Sequence, residues 1–221
     1  MGEFRLEDGR TAVRLARAAV DFFVRKPRRE RSISDRAMEG KAEEFASEFE
    51  KANGALPAEF SKNYGVFCTL DTYPEKELRG CIGFPEPIFP LRKAIVMAAW
   101  NASSRDPRFD MVEKDELDKI VVDVSILTPP ALIEYGSPDE LVKKVKVGRD
   151  GLIAEKGWFR GLLLPQVPVE LGWNVEEFLS HTCMKAGLSK NEWKKGDVKF
   201  YSFQGLVFSE ESPNGNVVQK M

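Results

Sequence analysis

Apolar residues recur every three or four positions between Arg10 and Arg25. Ala12, Leu15, Ala16, Ala19, Phe22 and Phe23 fall on one stripe, which predicts a first helix. A second amphipathic helix is expected over Gly40–Lys51, stopped by Asn53-Gly54. The period then changes. Tyr64–Leu70 and Glu77–Phe84 read as the strands of a hairpin, with Thr72-Tyr73-Pro74-Glu75 in the turn. Pro90, at a first helical turn, opens a helix over Leu91–Ala102. The loop Ser103–Phe109 follows, and Ile120–Leu127 alternates as a buried strand. The second half repeats this order. Two short strands, about Lys146–Ala154 and Trp158–Leu164, precede a helix that Asn174 and Glu177 cap reciprocally and Gly187 stops. A short helix capped by Ser189 and Glu192 leads to a last strand, Val198–Phe208. Ser212–Met221, with Pro213-Asn214-Gly215, reads as a frayed tail.

There is also a local echo. Arg79-Gly80-Cys81-Ile82 resembles Arg160-Gly161-Leu162-Leu163, and each is followed by proline and then a helix. Two strand-strand-helix-strand units are therefore expected, a candidate duplication. The hairpin connections are too short for parallel crossovers, so the class is α+β, with mostly antiparallel sheets flanked by helices. The 221 residues read as a single domain in two lobes, the middle segment of about 85–130 forming the smaller one.

Composition narrows the function classes. Hydrophobic content of 43% supports a sizeable core, and the net charge of -2 removes any whole-chain argument for nucleic acid or anionic membrane. No apolar run approaches the ~18 residues needed to span a bilayer. Met1–Leu6 lacks the apolar stretch of a signal peptide, and three widely spaced cysteines make no disulfide framework. A cytoplasmic protein is expected, and the charged content of 31% leans towards a thermophile's. The basic stretch Lys26–Arg31 reads as a solvated connection rather than as the seat of an anionic partner.

Candidate chemistry centres on Leu78-Arg79-Gly80-Cys81-Ile82-Gly83. Glycine inside a strand marks close approach by a ligand or another backbone, and a thiol is useful when partly exposed near positive charge. A hairpin symmetric about Pro74-Glu75 places Cys68 opposite Cys81, Leu70 opposite Arg79 and Val66 opposite Gly83. All six then share one face, with Phe67, Thr69, Gly80, Ile82 and Phe84 on the other. Opposed Cβ atoms lie ~4.5–5.5 Å apart, so a Cys68–Cys81 dithiol is conceivable, although two buried free thiols is the simpler reading. In that register Arg79 sits ~7 Å from Cys81, where it favours the thiolate, and Gly83 leaves open space beside it.

Two further places draw attention. His181, the sole histidine, lies off the core stripe of its helix (Val175, Phe178, Leu179, Thr182, Cys183 and Ala186). Glu177, one turn away, is placed to orient it. Residues two apart on a helix point about 200° apart, so His181 and Cys183 cannot ligate one ion, and no metal or cofactor is expected. Pro107 forces Asp106 out of the α region. Arg105 and Arg108 around that turn can fork a carboxylate or phosphate, or can instead cap the preceding helix and pair with Asp106 and Asp110.

Leu78-Arg79-Gly80-Cys81-Ile82-Gly83, Asp106-Pro107-Arg108-Phe109, Gly161-Leu162-Leu163-Leu164-Pro165-Gln166 and Gly172-Trp173 together resemble the AMMECR protein family, in its archaeal form. The resemblance runs from about Arg10 to Phe208. It implies an α+β fold in two lobes and a suspected site at Leu78–Gly83, but no securely established activity. It also implies work alongside Memo-like and radical-SAM proteins in a system that modifies a biomolecule. Two functions follow. One is a thiol-dependent enzyme or enzyme subunit, with Cys81 as nucleophile or thiol donor, Arg79 as its activator and His181 as general base. Gly80, Gly83, Arg105 and Arg108 then bind substrate. The other is a non-catalytic adaptor that grips a partner protein or small anion through the Arg-Gly-Cys groove. RNA binding through Lys26–Arg31 is least favoured, because aromatics are not interleaved with the basic residues.

Overall fold

A computed structural model describes residues 4–220; Met1–Glu3 of the N-terminal segment and Met221 of the tail lie outside the described residues. The chain begins with α1 (Leu6–Val24), α2 (Arg28–Arg31), α3 (Asp35–Asn53), β1 (Gly65–Thr72), β2 (Leu78–Phe84), α4 (Leu91–Ser104) and β3 (Ile120–Leu127). It continues through β4 (Ala131–Leu132), α5 (Pro138–Lys144), β5 (Gly151–Lys156), β6 (Phe159–Leu163), α6 (Gln166–Glu170) and α7 (Val175–Lys185). Strands β7 (Lys199–Phe203), β8 (Gly205–Glu210) and β9 (Val217–Lys220) end it. No helix among the described residues is long and apolar enough to cross a membrane.

The class is α+β, and the chain divides into two compact units. The first runs to Leu127 and resumes at Leu206. Its sheet has the order β2-β1-β3-β8-β9, with α1 and α4 against it and α3 against α4. The period-2 alternation of β1 and β3 sends Val66, Cys68, Leu70, Val122, Val124 and Ile126 into one core with Leu15, Ala16, Ile95 and Trp100 of the helices. Trp100 stacks on Phe23 at 3.9 Å between ring centroids, which fastens α4 to α1.

The second unit is Thr128–Gly205. Its antiparallel sheet has the order β4-β7-β5-β6, and α7 packs on β5 and β6. Leu152, Ala154, Phe178, Leu179, Cys183, Trp193 and Phe200 form its core. The expected capping box is present: Asn174 and Glu177 satisfy one another's backbone N–H at the start of α7. Gly187 takes φ +79° just after its end, the left-handed conformation that stops a helix.

The two units share one connectivity. A hairpin (β1-β2 or β5-β6) is followed by a helix (α4 or α7), and the next strand pairs antiparallel with the first of the hairpin. The echoed glycines occupy matching places. A Cβ on Gly80 would lie 2.3 Å from the carbonyl oxygen of Ala102, and one on Gly161 would lie 2.2 Å from the backbone nitrogen of Ala186. At both, the missing side chain lets the end of the helix approach the strand.

Four expectations change. The smaller unit is Thr128–Gly205, not a middle segment of about 85–130. The single strand expected over Val198–Phe208 is two, β7 and β8, one in each sheet, with Gln204 between them. The tail contains β9, paired antiparallel with β8 through Glu210–Val217. Its Pro213-Asn214-Gly215 is therefore the bend of a hairpin, with Asn214 at φ +57°. Lastly, Lys26–Arg31 is not wholly a solvated connection. Arg31 is 2% exposed and donates to the carbonyl of Val112 at 2.7 Å.

Candidate functional site

The register of the β1-β2 hairpin decides what surrounds Cys81. Near the turn the expected pairing holds, with Asp71 opposite Leu78. Arg79 is then an extra residue, a bulge, and beyond it every pair moves by one: Leu70 faces Gly80, Thr69 faces Cys81 and Cys68 faces Ile82. A one-residue slip turns each side chain to the other face. Cys68 therefore lies in the helix-covered core, and the conceivable dithiol is not formed. Burial pushes the Cys68 thiol far above its ordinary range. Cys183, also buried, is pushed up to about 11 by burial. Of the three cysteines only Cys81 is partly exposed.

Strand β2 is an edge of its sheet. The N–H of Cys81 turns away from β1 and donates to Asp106 Oδ2 at 2.8 Å, while its carbonyl accepts from Arg108 Nη2 at 3.3 Å. A residue whose backbone groups face outward forms a non-hydrogen-bonded pair with its neighbour, in which side chains lie closest. Thr69 Oγ1 accordingly donates to Cys81 Sγ at 3.2 Å. Asp106 also accepts from the backbone N–H of Arg108 at 3.1 Å, from its Nε at 2.9 Å and from its Nη2 at 2.6 Å. The Arg108 guanidinium holds the Asp106 carboxyl well below the usual carboxylate range; burial opposes this, and the N–H groups of Cys81 and Arg108 assist it. The Asp106-Pro107-Arg108 turn thus stands where a further strand would, closing the edge at Cys81.

The other expected site residues are placed differently. Arg79 does not hydrogen-bond the thiol. Its guanidinium makes a two-point pair with Glu116 at 2.7 and 3.1 Å and donates to the Asp110 carbonyl at 2.9 Å. Arg105 and Arg108 do not converge into a fork. Arg105 is bound to Asp35 at 2.5 Å and to the Ile33 carbonyl. Gly80 admits α4, and Gly83 does not open a space, because a Cβ there would lie 2.5 Å from the Phe67 ring. His181 belongs to the second unit, stacked on Trp173 with centroids 3.8 Å apart and planes 4° from parallel. The Glu177 carboxylate accepts the Asn174 N–H at 2.9 Å, so it serves the cap rather than the imidazole.

Comparison with known proteins agrees with this architecture. The model of the AMMECR1 family matches residues 13–208. The chain belongs to the AMMECR1 family. It is 49% identical over 215 residues to Protein MJ0810 of Methanocaldococcus jannaschii, covering 97% of this chain and 96% of that one. It is 47% identical over 222 residues to Protein PF1979 of Pyrococcus furiosus, covering 98% and 96%. The crystal structure of the uncharacterized protein PH0010 from Pyrococcus horikoshii matches with a TM-score of 0.67 at 45% identity over 97% of each chain. These relatives are all archaeal.

In this AMMECR1 chain, two residues beside Cys81 escaped the sequence pattern. Thr69 was expected on the opposite face and is instead the thiol's hydrogen-bond donor. Asp123 faces Thr69 across β1 and β3, so Cys81, Thr69 and Asp123 form a row over three strands. Asp123 is buried and accepts from Ser209 Oγ and Lys220 Nζ. A charged residue within the otherwise uncharged strand Ile120–Leu127 was the one available signal.

Proposed function

We propose that Cys81 is the reactive thiol of a thiol-dependent enzyme or enzyme subunit that modifies a biomolecule, in a system shared with Memo-like and radical-SAM proteins. The observation that carries this reading is the Thr69 hydroxyl donating to the sulfur of the one partly exposed cysteine. A hydroxyl held at 3.2 Å fixes the position from which the sulfur would attack. Asp106 and Arg108 fix the backbone on either side of the thiol, so it meets an electrophile from a set direction. Arg108 Nη1 is not used in the pair with Asp106 and is the guanidinium edge left for an anionic group of the substrate. Activation by Arg79 drops out of the reading, because that side chain is held by Glu116. His181 is not needed for the arrangement within the first unit.

Alkylation by iodoacetamide with peptide mapping tests this. Cys81 is expected to react at least about 100-fold faster than Cys68 and Cys183, which burial protects. Thr69→Val, with the hydroxyl removed and the shape kept, is expected to slow Cys81 several-fold at pH 7 while His181→Ala leaves it unchanged. If Cys81 reacts no faster than the other two, the thiol reading fails. The adaptor reading would then stand, and under it Cys81→Ser retains partner binding.

A further inference from the structure

The basic stretch Arg28–Arg31 and the loop after α4, more than seventy residues apart in sequence, border one open cleft of about 540 Å³. Arg28, Arg29 and Ser32 stand on one side, with Ser104 and Arg105 and the chain from Asp106 to Met111 on the other. The loop therefore has two functions to serve, since Asp106 and Arg108 turn to Cys81 while Arg105 turns to the cleft.

The charge around the cleft is not balanced within the chain. Arg28 and Arg31 share one carboxylate, Glu113, at 2.5 and 3.6 Å. Arg105 is matched by Asp35 at 2.5 Å. Arg29 is exposed and has no ion pair or hydrogen bond among the described residues. Asp110 is the remaining carboxylate at the cleft, and Asp106 is already paired with Arg108. Of the three arginines that line the cleft, Arg28 and Arg105 are therefore paired and Arg29 is the one guanidinium without a carboxylate partner among the described residues. Arg31 is buried next to Ser32, with its Nη1 on the Val112 carbonyl, its Nη2 towards Glu113 and its Nε without a partner. Donors are also to hand. Arg28 uses Nε and Nη2 on Glu113 and leaves Nη1 free, and the Ser104 hydroxyl has only a 3.4 Å contact with Ser103.

We infer that this cleft is an anion site that takes the phosphoryl group of a small phosphorylated molecule, gripped by Arg28 and Arg29 with the serine hydroxyls beside them. Guanidinium groups and hydroxyls suit phosphate oxygens, which accept several hydrogen bonds at once. The flanking carboxylates limit affinity and exclude a simple polyanion surface. The inference does not depend on Cys81 chemistry, because the site is read by binding alone.

Titration of the full chain with inorganic pyrophosphate by calorimetry, at constant ionic strength held with chloride, tests it. One pyrophosphate per chain is expected, with a dissociation constant at or below about 1 mM. Arg29→Glu, at an exposed residue with no partner to lose, is expected to weaken binding by about tenfold or more while Arg29→Lys stays within a few-fold of the parent. Absence of binding up to about 10 mM, or equal binding by Arg29→Glu, overturns the site. A single-stranded RNA oligonucleotide that binds through Arg29 and is not displaced by pyrophosphate overturns the small-ligand assignment in favour of a nucleic-acid surface.

Discussion

Asp106→Ala is expected to destabilise the protein by about 2–4 kcal/mol, because it removes the buried acceptor of four N–H groups, of which only Arg108 Nη2 has a second acceptor, the Cys81 carbonyl. Asp106 is 4% exposed and holds the Cys81 N–H together with three N–H groups of Arg108. Arg108 itself is half-exposed and rehydrates, which keeps the loss below that of a fully buried pair. The same variant frees the edge strand at Cys81, so thiol reactivity and stability should change together. Urea unfolding with thiol mapping reads both; a loss under about 0.5 kcal/mol with unchanged reactivity would show that the turn does not hold the site.

The acid limb of stability carries a second signature of Asp106. Its folded pKa is lowered, so its contribution is fully present above the unfolded value near 3.8 and is lost as pH falls through the folded value. Asp106→Asn, which keeps the shape but cannot ionise, should therefore flatten the decline in stability below about pH 4 relative to the parent. A parallel decline in both proteins would assign the acid sensitivity to other carboxylates.

Gly80→Val is expected to be strongly damaging. Its Cβ would lie 2.3 Å from the carbonyl oxygen of Ala102 in the last turn of α4, closer than any real contact of that kind. Both atoms belong to backbone in regular structure, so either the strand leaves the helix or the helix end unwinds. Overpacking of this kind costs about 1–3 kcal/mol, and more where backbone must move. Gly40→Ala is the control. It lies within α3 with nothing within 4 Å of its Cβ position, and should stabilise by about 0.5–1 kcal/mol through helix propensity alone. Equal denaturation midpoints for Gly80→Val and the parent would remove the close approach as the reason for the glycine.

The motif was legible as a place, and its chemistry was legible only in part. Glycine in a strand signals close approach by something. At Gly80 that is the chain's own helix, and at Gly83 it is the Val66 carbonyl and the Phe67 ring. The arginine two residues before the cysteine suggested an activated thiol, yet Glu116, thirty-seven positions away, takes it. The arginine of the Asp106-Pro107-Arg108 turn sits instead at the Cys81 carbonyl.

By itself the sequence determined the four longest helices (α1, α3, α4 and α7), the β1-β2 and β5-β6 hairpins, the cap at Asn174 and Glu177, and the order of these elements. Each of these depends on residues within a few positions of one another, where period, turn chemistry and capping act directly. Tertiary structure alone decided which residues meet Cys81. One bulge at Arg79 moved every β1 pair from Leu70 to Val66 by one residue, and pairing with Asp106 and Thr69 depends on distant segments arriving at the same strand. It also decided that Val198–Phe208 divides between two sheets and that the tail ends as a strand. Register and edge contacts are set by the packing of the whole sheet, and no local window of residues contains that information.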